Sequence, residues 1–249
     1  MGFMRTANPT LNDKTFSTFE RYEAQAQDMT IQGTVNKTAL LLLGVVLGAA
    51  WTWHLFAQGN PAVMAWMLGG LVGGLVLCLV TCFKMSWAPV TSFPYALCEG
   101  LFLGGLSAVF EARYPGIVPQ AVGLTFGTLF CLLVAYKTGV IRATQKFKTG
   151  VMAATGAICL IYLVSMVLRL FGSGVPYIHE AGWIGIGFSI FVVVIAALNL
   201  ILDFDFIEHG VKSGAPKYME WYASFGLLVT LVWLYIEILR LLAKLRSRD

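Results

Sequence analysis

Four acidic residues stand where carboxylates are costly. In the stretch LNLILDFDFIEHGVKSGAPKYMEWYASFGLLVTLVWLYIEILRLLAKL, Leu198 to Leu245, an apolar run closes on Asp203 and Asp205. A short polar loop with Lys212 and Lys217 follows, and then a second apolar run that holds Glu237. Glu99 lies inside an earlier apolar run. A carboxylate near hydrocarbon loses its hydration, and one at a helix C-terminus also meets the negative end of the macrodipole. Asp203 therefore needs a partner, a proton or a cation.

Spacing divides these acids into groups. Asn199 lies four residues before Asp203, so the two make a polar stripe pointing into the bundle. Asp205 is about 200° further round the helix and pairs locally with His209. Glu99 falls roughly 9 Å inside its span, on the same side as Asp203. The two carboxylates are expected to converge on one site with coupled titrations, holding a proton or binding a hard cation such as Ca²⁺ through oxygen. The bland alternative is that Asp203 marks where its helix leaves the bilayer and Glu99 is a neutral, hydrogen-bonded acid. Glu237 lies three residues before Arg240, which suits an interfacial ion pair near the opposite boundary.

The elements that position these groups follow from composition. The 249 residues are 58% hydrophobic and 12% charged, with a mean hydropathy of +0.76, more apolar than a soluble domain of this size needs. A membrane-spanning helix takes roughly 20 apolar residues. Seven runs qualify: Ala39–Ala57, Ala62–Phe83, Tyr95–Phe110, Gly116–Tyr136, Val151–Phe171, Gly182–Leu202 and Met219–Leu242. Their continuity excludes a β-barrel, whose strands alternate over about 10 residues. The expected fold is an all-α membrane bundle: a polar tail over residues 1–37, a seven-helix domain over 38–245 and a basic tail over 246–249. Recurrent glycines within the spans, such as Gly69, Gly70, Gly73, Gly74, Gly100, Gly104 and Gly105, read as close helix packing, with hinge or pore-lining backbone as the alternative.

Lys and Arg concentrate on the N-terminal side of the membrane, which places the N-terminus in the cytosol. Seven spans then leave the C-terminus outside, although Lys244, Arg246 and Arg248 make it basic; a final segment that re-enters would remove the conflict. The start Met1–Thr6 formally matches a myristoylation pattern, and Phe16, Phe19 and Tyr22 are spaced for a short interfacial helix or a disordered tail. The five cysteines read as apolar filler. No phosphate cradle, nucleophile elbow or HExxH motif is present, so enzyme chemistry and nucleic-acid binding are not expected.

The hairpin LDFDFIEHG with a final helix ending LYIEILRLL, the leader NPTLNDKTF, and the segments TIQGTVNKTALLLL and YALCEGLFLGGLSAVFEARYPGIV resemble the Bax inhibitor-1 family, also called transmembrane Bax inhibitor motif proteins, in its bacterial branch. The resemblance implies six helices enclosing the seventh and a pH-responsive cation leak, chiefly of Ca²⁺, in a bacterial plasma membrane. It further implies links to suppression of cell death in eukaryotes and to membrane proteolysis in bacteria. The family's pH sensor is a pair of aspartates: Asp203 matches the first, and counting back from Arg240 the second falls on Thr230, which cannot ionise. Either Glu99, Asp205 or Glu237 supplies the missing charge, with Glu99 favoured, or this chain does not gate by that mechanism. Two functions follow as expectations. One is a leak for Ca²⁺ governed by protons; the other is a non-conducting protein that binds membrane proteases or other membrane proteins.

Overall fold

The computed structural model describes residues 28–171 and 182–247. The Met1–Thr6 pattern, the Phe16–Tyr22 segment and Arg248 lie outside the described residues. Seven long helices follow one another: α1 (Ile31–Ala57), α2 (Ala62–Phe83), α3 (Ala88–Arg113), α4 (Ile117–Lys137), α5 (Gln145–Leu170), α6 (Trp183–Lys212) and α7 (Met219–Arg246). All seven contain a stretch long and apolar enough to cross a membrane.

Several helices outrun the apolar stretches that announce them. The first begins at Ile31 rather than Ala39, because Thr30 adopts an extended backbone and its hydroxyl accepts the Gly33 N–H at 2.9 Å. The third starts at Ala88 and runs through Pro94, although proline forfeits one backbone hydrogen bond. Ahead of α4, Gly116 takes a left-handed conformation. There the Glu111 carboxylate accepts from Gly116 N at 2.5 Å and Val118 N at 3.0 Å, which satisfies donors a helix start leaves unpaired. Most consequential is α6, which continues past Asp203 and Asp205 to Lys212.

Among the described residues, four of the six other helices, rather than all six, hold the body of α7. It packs against α1, α3, α4 and α6, and has the most buried apolar window of the seven. One apolar cluster joins α4, α6 and α7 through Ile117, Leu200, Ile201, Leu234 and Leu239. A second joins α1, α3 and α7 through Leu41, Tyr95, Leu103 and Leu228. Outward-facing Met64, Leu68, Val72 and Leu75 leave α2 apolar toward its surroundings, as lipid requires.

The pair α1–α3 is the most extensive helix contact. Its backbones touch because Gly48, Gly100 and Gly104 have no side chain. A methyl at Gly100 would lie 2.2 Å from the Val45 carbonyl oxygen, and one at Gly104 2.3 Å from that of Ala49. Small-residue packing is therefore the role of these glycines, whereas Gly69 has open space beside it.

The final helix crosses the whole bundle. At its start Glu220 meets Thr30 of the α1 cap, and at its end Arg246 Nη1 donates to the Pro115 carbonyl at 2.6 Å, in the α3–α4 turn. The two ends of the described chain thus lie on opposite faces, and a re-entrant last segment is not what the chain forms.

Candidate functional site

Asp203 is not at a helix end. Because α6 runs on to Lys212, the macrodipole expectation fails, and the isolation of this carboxyl comes from burial instead. Its Oδ2 is buried with no hydrogen-bond partner among the described residues. Thr230 of α7 is the polar side chain facing the carboxyl, while its hydroxyl donates to the Gly226 carbonyl at 3.3 Å. A buried acceptor without a donor costs about 1–3 kcal/mol, and more when charged. Asp203 and Thr230, the two positions that the resemblance pairs, are thus face to face, with one ionisable group between them.

Asp205 points to a different neighbour. It forms an ion pair with Lys148 of α5, and His209 Nδ1 lies 3.4 Å from its Oδ2 and donates to its backbone carbonyl at 2.8 Å. The expected Asp205–His209 contact is present, with Lys148 as a cation the spacing did not reveal. The expected stripe of Asn199 and Asp203 is divided: Asn199 Nδ2 donates at 2.8 Å to Thr155 Oγ1 of α5 and to the Ile195 carbonyl, whereas Asp203 faces α7.

Glu99 does not join Asp203. Tyr95, one turn earlier on the same helix, is its polar neighbour, and its carboxyl lies over α2, where a methyl on Gly74 would come within 3.3 Å of Oε1. Helix α7 packs against both α3 and α6, which share no substantial contact with each other. The convergence expected from their shared side of the membrane is corrected by packing: equal depth does not make two helices neighbours.

Glu237 and Arg240 are paired at 3.1 Å, but the setting differs from an interfacial bridge. Glu237 is only 2% exposed, and Tyr162 of α5 donates its hydroxyl to both carboxylate oxygens, at 3.0 and 3.1 Å. The Arg240 guanidinium lies 5.7 Å over the Tyr162 ring. Ser165, Ser189 and Lys244, with the apolar Phe110, Met166 and Phe188, complete a cavity of about 500 Å³ around this pair. Tyr162→Phe is expected to cost about 1–3 kcal/mol, the usual penalty for orphaning a buried acceptor. Thermal unfolding in detergent micelles measures it, and an unchanged midpoint would show that Arg240 alone satisfies Glu237.

Three acids escaped the sequence reading as site residues. Glu220 is fully buried between Thr30, Lys37 and Lys217. Its i,i+3 spacing from Lys217 was a readable signal, but Lys37 comes from the far end of the chain. Glu208 accepts from Tyr136 at 2.5 Å and pairs with Lys212, and Glu111 caps α4. These are satisfied anchors, and Asp203 is the carboxyl they leave unmatched.

An all-helical bundle of seven membrane-length helices, with carboxyls buried between its last three, defines a multi-pass integral membrane protein that carries ionisable groups at membrane depth. The chain belongs to the Bax inhibitor 1 like family, which it matches over residues 8–247. No curated protein and no solved structure matches it significantly.

Proposed function

We propose that this protein is a proton-sensitive cation leak of the Bax inhibitor-1 type, with Ca²⁺ as the ion and Asp203 as the titrating group. The observation that supports the reading is the buried, unmatched Oδ2 of Asp203 opposite the Thr230 hydroxyl. Among the described residues the buried Asp205, Glu220 and Glu237 each have a lysine, arginine or tyrosine; Asp203 has none of these, and an unmatched carboxyl takes a proton or a hard cation, which prefers oxygen ligands of this kind. Neutral, the carboxyl sits in the bundle at low cost. Ionised, it calls for a compensating cation, and movement of α6 against α7 would admit one. With threonine in place of a second aspartate, the response rests on one carboxyl rather than on a coupled pair. The lysine and arginine distribution supports a cytosolic N-terminus, the resemblance to the family's bacterial branch suggests a bacterial plasma membrane, and no enzymatic step belongs to this reading.

The test is Ca²⁺ flux into dye-loaded liposomes containing the purified protein, titrated across pH. Wild type is expected to change flux as a single titration, spread over about two pH units. Asp203→Asn cannot titrate and is expected to flatten the curve. An unchanged curve in the variant removes Asp203 from the mechanism. Flux no higher than in empty vesicles overturns the leak altogether and favours the non-conducting interaction protein.

A further inference from the structure

Helices α1 and α4 flank a cleft of about 1010 Å³ whose floor includes Leu227 of α7. Its walls are apolar, with Val35 and Leu42 on α1 and Phe126, Phe130 and Leu133 on α4. Val35 and Phe130 are 54% and 61% exposed, so the slot opens sideways toward lipid. From Phe126 to Lys137 is about 16 Å of helix, which matches one leaflet of a hydrocarbon core about 30 Å thick.

The end of the slot is charged, and its charges do not balance. Glu208 is answered by Lys212 and the Tyr136 hydroxyl, and Asp205 by Lys148 and His209. Lys137 and Arg142 line the same mouth, both exposed, and neither has an acidic partner among the described residues. Two surplus cations therefore sit where a one-leaflet apolar slot meets water. We propose that this cleft is a binding site for an anionic phospholipid, one acyl chain lying between α1 and α4 and the headgroup phosphate held between Lys137 and Arg142. The charge complement selects the occupant, since a neutral lipid would fill the slot and leave both cations unanswered. Arginine offers a planar fork to phosphate and lysine a mobile ammonium, a combination suited to a headgroup at an interface. This inference is independent of the leak reading.

The test uses the full-length protein in detergent, titrated with phosphatidylglycerol or with phosphatidylcholine of the same chain length, bound lipid being counted by native mass spectrometry. Phosphatidylglycerol is expected to bind more tightly, by about fivefold for each cation engaged, with a preference that shrinks as salt is raised. Lys137→Gln with Arg142→Gln should bring its affinity down to that of phosphatidylcholine. Val35→Trp, a change at an exposed position, should reduce binding of both lipids by filling the slot. Equal binding of the two lipids to wild type overturns the headgroup contact. A phosphatidylglycerol preference that survives the double variant overturns the assignment to this mouth. Lipid binding unaffected by Val35→Trp overturns the slot, and would leave it to another occupant such as the chain's own residues 1–27.

Discussion

Replacing Glu220 with alanine is expected to destabilise the bundle by about 3–5 kcal/mol, the range for breaking a buried ion pair from one side. The carboxylate is fully buried at the start of α7, where it accepts from the Thr30 backbone N–H at 2.9 Å and from the Thr30 hydroxyl at 2.8 Å. It also pairs with Lys37, and Lys217 Nζ lies 2.8 Å from it. Gly33 makes the space: a methyl there would fall 2.1 Å from Oε1. Removing the carboxylate leaves Lys37, only 18% exposed at its side chain, without its counter-charge. It also releases the α1 cap from α7, the tie that holds residues 28–30 beside the α6–α7 turn, where Met29 N donates to the Ala215 carbonyl at 2.7 Å. Unfolding in detergent micelles measures the loss. A cost below about 1 kcal/mol would place the cluster among solvated surface pairs, which contribute little.

Gly100→Val is expected to be comparably damaging, for a steric reason. The β-carbon would occupy a point 2.2 Å from the Val45 carbonyl oxygen and 2.9 Å from two further Val45 backbone atoms. Backbone cannot rotate out of the way as a side chain can, so α1 and α3 must separate. That opens the most extensive helix pair in the fold and the cluster of Leu41, Tyr95 and Leu228 beside it. Overpacking a well-filled site costs about 1–3 kcal/mol or more, and two branching methyls on a backbone contact belong at the upper end. Gly69→Ala is the control: nothing lies within 4 Å of that position, and the added helix propensity of alanine favours it by up to about 1 kcal/mol. Equal losses for the two variants in thermal unfolding would show that flexibility, rather than close approach, is what these glycines supply.

Both predictions bear on how much of this molecule is legible in one dimension. The seven runs were legible because lipid demands continuous apolar length, and α2 begins and ends where hydropathy places it, at Ala62 and Phe83. The ends of α1 and α6 were not, since hydropathy reports the thickness of hydrocarbon while backbone hydrogen bonds continue beyond it. That difference moved Asp203 from a helix terminus into the body of α6. The local pairs Asp205–His209 and Glu237–Arg240 were legible from spacing along one helix. Lys148 for Asp205, Tyr162 for Glu237 and Lys37 for Glu220 come from helices distant in sequence, and no spacing predicts them.

By itself the sequence determined that this chain lives in a membrane as seven helices, and that a few acids are sunk in apolar surroundings. Those are properties of runs and their solvent. Tertiary structure decided which acids have company. Neighbourhood depends on which helix faces abut, and here glycine contacts seat α1 on α3 while apolar clusters seat α7 among the rest. That arrangement separates Glu99 from Asp203 and turns Thr230 toward Asp203, whose buried Oδ2 has no hydrogen-bond partner among the described residues.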